Sequence, residues 1–125
     1  MSVLGTKVQV VVVNGRAAYR YEGDQPKPSK AHCWYECLTT WPAVLTDGSK
    51  GKVSGIKSSL VGMMERSGGY RQVTLAGWPL YTFSKDKQVG DIKGEGFNGD
   101  WSLVTPDGTA AVKKAQKKRV FSRRS

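Results

Sequence analysis

Hydrophobic and polar positions alternate along several short stretches of the chain, with the period of two that is typical of half-buried β-strands. The first strand is predicted over the β-branched run 7–13. It is followed by Asn14-Gly15, a dipeptide that tolerates the two positive φ angles of a type I′ turn. In the next stretch, 16–22, Tyr19 and Tyr21 fall on one face. The pattern predicts a β-hairpin with an aromatic inner face.

A second hairpin is predicted further along the chain. Residues 70–75 alternate, Ala76-Gly77 forms a tight turn, and a further strand occupies 78–83. The stretch 60–66 favours a strand more weakly, and 101–105 is predicted as the last strand.

A short helix is predicted in the segment between the two hairpins. Cys33, Cys37 and Trp41 are spaced i, i+4 and i+8, which places them on one helix face. Pro42 ends that helix. The preceding stretch, 25–30, contains two prolines and therefore does not fit a central strand.

The two hairpins share a motif whose copies lie 62 positions apart. Its members are Gly15, Tyr19, Tyr21 and Asp24 in the first copy and Gly77, Tyr81, Phe83 and Asp86 in the second. A single hairpin has one apolar face that it cannot bury alone, whereas two hairpins can share a core. Buried tyrosine hydroxyls need partners. The two aspartates are placed either to accept those hydrogen bonds or to cap the turn after each strand.

These patterns predict a mainly-β fold in which two pseudo-symmetric β-hairpin repeats share one core, with one short helix at the cysteine loop. A chain of 125 residues is long enough for one domain with a real core. We predict a two-repeat domain over 1–108, with repeat 1 at about 7–59 and repeat 2 at about 60–108. Residues 109–125 are predicted to form a basic, disordered tail.

The net charge of +10 changes this picture at the C-terminal end. The tail contains no acidic residue and seven cations, which are Lys113, Lys114, Lys117, Lys118, Arg119, Arg123 and Arg124. The tail therefore carries +7 of the net +10, and the rest of the chain carries 10 − 7 = +3. A basic tail is attracted to an anionic polymer or to an anionic membrane surface, and the simpler alternative is a solvated tail with no partner.

The doubled Tyr-x-aromatic-x-x-Asp motif resembles the signature of the secreted-repeat lipoproteins, a bacterial family of unknown function. Further similarities lie in Cys33-x-x-x-Cys37 followed by Trp41-Pro42, and in the run 77–81 leading to Gly90-Asp91 and Gly94. The resemblance covers roughly 8–108. It implies an extracytoplasmic or cell-surface repeat domain, often anchored by lipid, and no known reaction.

The location has a second line of evidence in the sequence itself. No stretch approaches the ~20 apolar residues of a membrane span. The first residues show no signal peptide. The sequence therefore predicts either a cytoplasmic protein or a targeting segment outside this chain, and the family resemblance favours the second.

The cysteine pair has several chemical interpretations. Two positions four apart on a helix have Cα atoms about 6 Å apart, which a disulfide accepts. The leading interpretation is a structural disulfide between Cys33 and Cys37. A dithiol redox pair is the alternative, because a cationic His32 would favour a thiolate next to it. A metal site is less well supported, since two cysteines and one histidine fall short of the four ligands that zinc needs.

A glycine-rich loop over 90–100 offers oxygen ligands from Asp91, Glu95, Asn98 and Asp100. Calcium binding is conceivable, but the spacing is not that of an EF-hand. We predict an ordered surface loop and no metal.

Signals of catalysis are few. The chain has a single histidine and contains no nucleophile, nucleotide-binding or metalloprotease motif. We predict no enzymatic activity and no cofactor. Trp34, Tyr35 and Trp78 are candidates for surface aromatics, which stack on sugars or bases unless they pack against the long loops.

The sequence thus favours a non-enzymatic, extracytoplasmic structural or binding module. Two alternatives stay open at this point: a thiol–disulfide redox or electron-transfer accessory that uses Cys33 and Cys37, and polyanion binding through the basic tail.

Overall fold

The computed structural model describes residues 2–3, 6–7, 9–46, 56 and 58–111. Within these residues the fold is mainly β, with short strands in several small antiparallel sheets and one α-helix. The predicted fold class is confirmed. The relation of the two hairpins as pseudo-symmetric repeats stays a prediction. The predicted tail cations all lie outside the described residues. Below, the two halves are the described residues before and after the gap, 9–46 and 58–111.

The strands and the helix follow one another in a simple order. They are β1 (Ser2–Val3), β2 (Thr6–Lys7), β3 (Val12–Val13), β4 (Arg16–Ala17), β5 (Tyr19–Tyr21), β6 (Gln25–Pro26), β7 (Ser29–Lys30), α1 (Glu36–Thr40), β8 (Leu45–Thr46), β9 (Val61–Glu65), β10 (Arg71–Leu75), β11 (Trp78–Pro79) and β12 (Trp101–Leu103). The largest sheet has β10 at its centre, paired with β9, β8 and β11. The other strands form two-stranded pairs, in which β5 joins β12.

Both predicted hairpin turns are confirmed. Asn14 and Gly15 connect β3 to β4 with φ angles of 51° and 80°, and Ala76 and Gly77 connect β10 to β11 with φ angles of 51° and 87°. These left-handed conformations are the ones that a type I′ turn requires. At Gly77 the fold also needs the missing side chain, because a Cβ there would lie 2.1 Å from the carbonyl oxygen of Pro26.

The predicted strands are shorter than the alternating patterns suggested. The strand predicted over 78–83 is limited to β11, and Tyr81 instead forms an isolated bridge with Tyr19 in the other half. In the strand predicted over 7–13, Val11 receives a hydrogen bond from Ala18 and donates one to Val104. Each stretch changes its pairing partner along its length, so no single ladder persists.

The prediction of one buried and one exposed face for 16–22 is wrong. Ala17, Ala18, Tyr19 and Arg20 are all buried. The chain runs between two apolar clusters here, one containing Ala17 and Tyr19 and the other containing Ala18. The side chain of Arg20 stacks its guanidinium 3.9 Å from the ring centre of Trp78. Both faces are therefore covered.

The helix is also shorter than predicted. It begins at Glu36, so Cys33 lies before it, and Trp41 follows its last residue. Tyr35 precedes the helix with a φ of 55°, which is not helical. The helix therefore cannot begin before Glu36.

The apolar cluster that contains Ala17 and Tyr19 is built around a column of four stacked aromatic rings. Trp41 and Trp101 lie face to face, with ring centres 3.8 Å apart and planes 2° from parallel. Tyr21 stacks on Trp101 at 4.7 Å, and Phe83 stacks on Trp41 at 4.2 Å. Each half contributes two rings, and every stacking contact in the column joins the two halves.

Two crossed hydrogen bonds fix the column in place. The Tyr19 hydroxyl donates to Asp86 at 2.6 Å, and the Tyr81 hydroxyl donates to Asp24 at 2.7 Å. All four side chains are buried. Burial raises the pKa of both tyrosines far above its usual value, and each neighbouring aspartate raises it further. The raised pKa values agree with hydroxyls that act as hydrogen-bond donors to the two aspartates.

Each aspartate also orders the chain that follows its own strand. Asp24 accepts a hydrogen bond from the backbone N–H of His32 at 2.7 Å, and Asp86 accepts one from the N–H of Lys93 at 2.9 Å. The two roles that the sequence offered as alternatives are thus combined in the same carboxylates.

The folded core extends past the predicted end of the domain at 108. Ala110 and Ala111 are fully buried, and Ala111 belongs to the same cluster as the aromatic column. Any deletion of the basic tail should therefore begin after Ala111.

Tyr19→Phe should lower the free energy of unfolding by about 1–3 kcal/mol, because the buried Asp86 carboxylate and the Gly94 N–H both lose a partner. Urea denaturation followed by circular dichroism measures the change. Tyr70→Phe is the matched control, since Tyr70 is 61% exposed, and it should change the value by less than about 0.5 kcal/mol. Equal effects of the two substitutions would contradict this account of the core.

Candidate functional site: an aromatic groove at the disulfide loop

The predicted site residues fall into different parts of the molecule. The repeat-motif residues lie in or against the core, so their aromatic and carboxylate groups are used within the protein. The cysteine pair lies where the core meets the surface. The loop that it closes borders a groove, whose exposed aromatic residues are Trp34 and Tyr35 from this loop and Tyr70 from the other half.

A disulfide joins Cys33 to Cys37, with an S–S distance of 2.05 Å and a Cα–Cα distance of 5.3 Å. Cys33 is fully buried, and Cys37 is partly buried against the same cluster. The bond closes a five-residue ring that contains Trp34 and Tyr35. The predicted pairing of the two cysteines is present, and its structural and redox interpretations both stay predictions.

Tyr35 occupies an unusual position at the tip of that ring. Its φ is 55° and its ψ is −116°, in a region that residues with a side chain rarely adopt. Its side chain is 90% exposed. The disulfide and the hydrogen bond from the Leu38 N–H to the Tyr35 carbonyl hold this conformation. Such conformations cluster at functional sites, where the surrounding structure enforces them.

The groove next to this ring encloses about 490 Å³. Its lining residues are Trp34, Tyr35, Leu38, Pro42, Ala43, Leu45, Arg66 and Tyr70. The volume lies within the range of small-molecule pockets, and the walls are predominantly apolar and aromatic.

Arg66 is a buried member of the groove lining. It is only 7% exposed, and its guanidinium lies 4.1 Å from the ring centre of Trp34. Its Nη1 donates to the side-chain oxygen of Gln72 at 2.6 Å, and its Nη2 donates to the carbonyl oxygen of Cys33. Gln72, fully buried on β10, donates in turn to the carbonyl of Leu80 at 2.7 Å. The arginine therefore ties the disulfide loop to the central sheet.

Sequence reasoning identified only part of this groove. It named Trp34 and Tyr35 as candidate surface aromatics, whereas Trp78 lies partly buried under Arg20 and away from the groove lining. It missed Arg66 and Tyr70, which nothing in the local pattern distinguishes from ordinary surface residues. Their position depends on the pairing of β9 with β10.

The acidic side chains of the 90–100 loop are directed mainly at the protein's own backbone. Asp91 accepts hydrogen bonds from the N–H groups of Lys87 and Gln88, which hold the pKa of its carboxyl below the usual value. Glu95 accepts a hydrogen bond from the N–H of Leu103, and burial raises the pKa of its carboxyl. Among the described residues, no group of three or more histidine, cysteine, aspartate or glutamate side chains could hold a metal ion.

Comparison with known proteins finds a family match over part of the chain. Residues 62–105 match the family model of a secreted repeat of unknown function. The matched residues include β10 to β12, and over them the resemblance to the secreted-repeat family is confirmed. They also include Arg66 and Tyr70, while the disulfide loop that forms the rest of the groove lies outside the matched residues.

No curated protein and no solved structure matches the chain. Within the part of the chain that the structure describes, no helix is long and apolar enough to cross a membrane.

Replacing both cysteines, in Cys33→Ser/Cys37→Ser, should lower the free energy of unfolding by about 2 kcal/mol, the chain-entropy value for a ring of this size. The freed loop should also lose the fixed conformation of Tyr35. Urea denaturation measures the first effect, and the chemical shifts of the Trp34 and Tyr35 amides report the second. Wild-type protein treated with a phosphine reductant should behave in the same way. A variant with unchanged stability and unchanged loop shifts would show that the disulfide does not support the groove.

Proposed function

We propose that this protein is a non-enzymatic binding module of the secreted-repeat type that acts outside the cytoplasm and binds its ligand in the aromatic groove. The observation that carries the proposal is the set of exposed rings of Trp34, Tyr35 and Tyr70 around a groove that a buried arginine supports.

The distribution of exposed apolar side chains supports this choice of surface. Among the described residues, eight large hydrophobic side chains are exposed, and four of them line this one groove: Trp34, Tyr35, Leu45 and Tyr70. Single exposed apolar residues are ordinary on protein surfaces, but a contiguous group of them marks an interaction site.

The groove is also preorganised for binding. The disulfide fixes one wall, and Arg66 joins that wall to the central sheet. The Trp34 indole N–H donates to the carbonyl of Ala31 at 3.0 Å, which fixes the ring. Side chains that are ordered before binding lose less entropy when a ligand arrives, and affinity rises accordingly.

The chemistry of the groove favours binding over catalysis. Its ionisable side chains are the phenols of Tyr35 and Tyr70 and the guanidinium of Arg66. Phenol and guanidinium groups are suited to donating hydrogen bonds to a ligand. Location outside the cytoplasm is supported by the matched secreted repeat and by the disulfide, which is a bond of oxidising compartments.

A fragment titration tests the proposal. Uniformly ¹⁵N-labelled protein is titrated with a mixture of small aromatic compounds, both neutral and charged. Amide shifts should change at 34–45 and 66–70 and should saturate. Tyr70→Ser should weaken binding about tenfold or more, because one wall of the groove is lost.

Val89→Ser is the matched control, since Val89 is 86% exposed and lies outside the groove. It should leave the titration unchanged. Shift changes that are absent, scattered over the surface or equally weakened by both substitutions would contradict the proposed binding site.

A further inference from the structure

The buried charge of Arg66 lacks an ionic partner within the described structure. The side-chain ion pairs there join Arg20 to Glu22 and Lys93 to Asp91. The two acceptors to which Arg66 donates at short distance, the Gln72 amide and the Cys33 carbonyl, are neutral, and so is the Tyr81 hydroxyl with which it also interacts. A buried charge normally has a counter-charge close to it, because removing it from water is costly.

Asp24 is the carboxylate that comes closest to this role, and it is already engaged. Its oxygens accept hydrogen bonds from the Tyr81 hydroxyl and from the His32 N–H. The field of Arg66 reaches it and partly opposes the effect of burial, which raises the pKa of the Asp24 carboxyl. No salt bridge joins the two side chains within the described residues.

The guanidinium retains capacity for another acceptor. It has five N–H donors, whereas the protein supplies three neutral partners, which are the Gln72 amide, the Cys33 carbonyl and the Tyr81 hydroxyl. The side chain also lines the groove. Carboxylates and phosphates both match a guanidinium in geometry and charge, and of the two the carboxylate carries the smaller charge.

The walls restrict what else the ligand can contain. Trp34, Tyr35 and Tyr70 offer ring faces, while Leu45 and Pro42 offer aliphatic surface. A highly charged ligand would leave much of this surface uncovered. An open groove of about 490 Å³ has room for a compact small molecule.

We infer that the groove binds a small aromatic carboxylate, with its ring against Trp34, Tyr35 and Tyr70 and its carboxylate directed at Arg66. This inference rests on the proposed function and adds the chemical class of the ligand. The guanidinium of Arg66 favours the carboxylate of the ligand, and the aromatic rings favour its apolar part.

A pair of probes of nearly equal size separates these two contributions. Naphthalene-2-carboxylate is anionic at neutral pH, and naphthalene-2-carboxamide is its neutral counterpart. In amide-shift titrations at low salt, the carboxylate should bind at least tenfold more tightly. The preference should decrease as salt is added, since part of the attraction is electrostatic.

Arg66→Gln should abolish the preference for the carboxylate while the amide still binds, and Arg71→Gln should retain it. Arg71 is the matched control because it is exposed and close in sequence to Tyr70. If Arg66→Gln does not give a folded spectrum, Arg66→Lys serves instead. It keeps the charge but removes the fork of donors, and the preference should fall at least threefold.

The outcomes distinguish this inference from the proposed function. Equal affinity for the acid and the amide would overturn the ligand class and leave the groove as a binding site. Failure of both probes to bind would count against the groove itself. A preference that survives in Arg66→Gln, or that is lost in Arg71→Gln, would overturn the role assigned to Arg66.

Discussion

The hydroxyl of Tyr19 donates to Asp86, and the hydroxyl of Tyr81 donates to Asp24, so each of these buried bonds joins one half of the molecule to the other. A buried carboxylate without a donor is costly. Each aspartate has one backbone donor from its own half, and the hydroxyl from the other half supplies the partner for its second oxygen. The stacked rings of Trp41 and Trp101 follow the same logic, because each covers a face that the other would leave exposed to water.

This shared core also determines where the groove forms. Cys33 belongs to the same apolar cluster as Trp41, and its carbonyl oxygen accepts a hydrogen bond from Arg66. The disulfide loop comes from the first half, whereas Arg66 and Tyr70 come from the second. The candidate binding surface thus exists only where the halves meet. The residues 62–105, which match the secreted repeat, include Arg66 and Tyr70 and so supply one side of this surface.

The sequence was informative where local geometry decides the structure. Asn14-Gly15 and Ala76-Gly77 predict their turns, because a type I′ turn makes the same backbone demands in any protein. It was misleading where a residue's neighbours come from distant segments. Ala17 and Ala18 are both buried because two different clusters cover the opposite faces of this stretch. The pairing of Tyr19 with Tyr81 requires the two halves to meet. The inward position of Arg66 depends on the same tertiary contacts.

The central claim is that the two halves form one cooperative unit, and residue-resolved unfolding tests it most directly. Urea titration of the wild-type protein, followed by amide signals in ¹H–¹⁵N spectra, gives a midpoint for each residue. The account predicts that Tyr19 and Tyr81, whose backbones exchange two hydrogen bonds, lose their native signals at the same midpoint, together with the rest of 9–46 and 58–111. Native signals that persist over 62–105 after those of 9–46 have disappeared would contradict it.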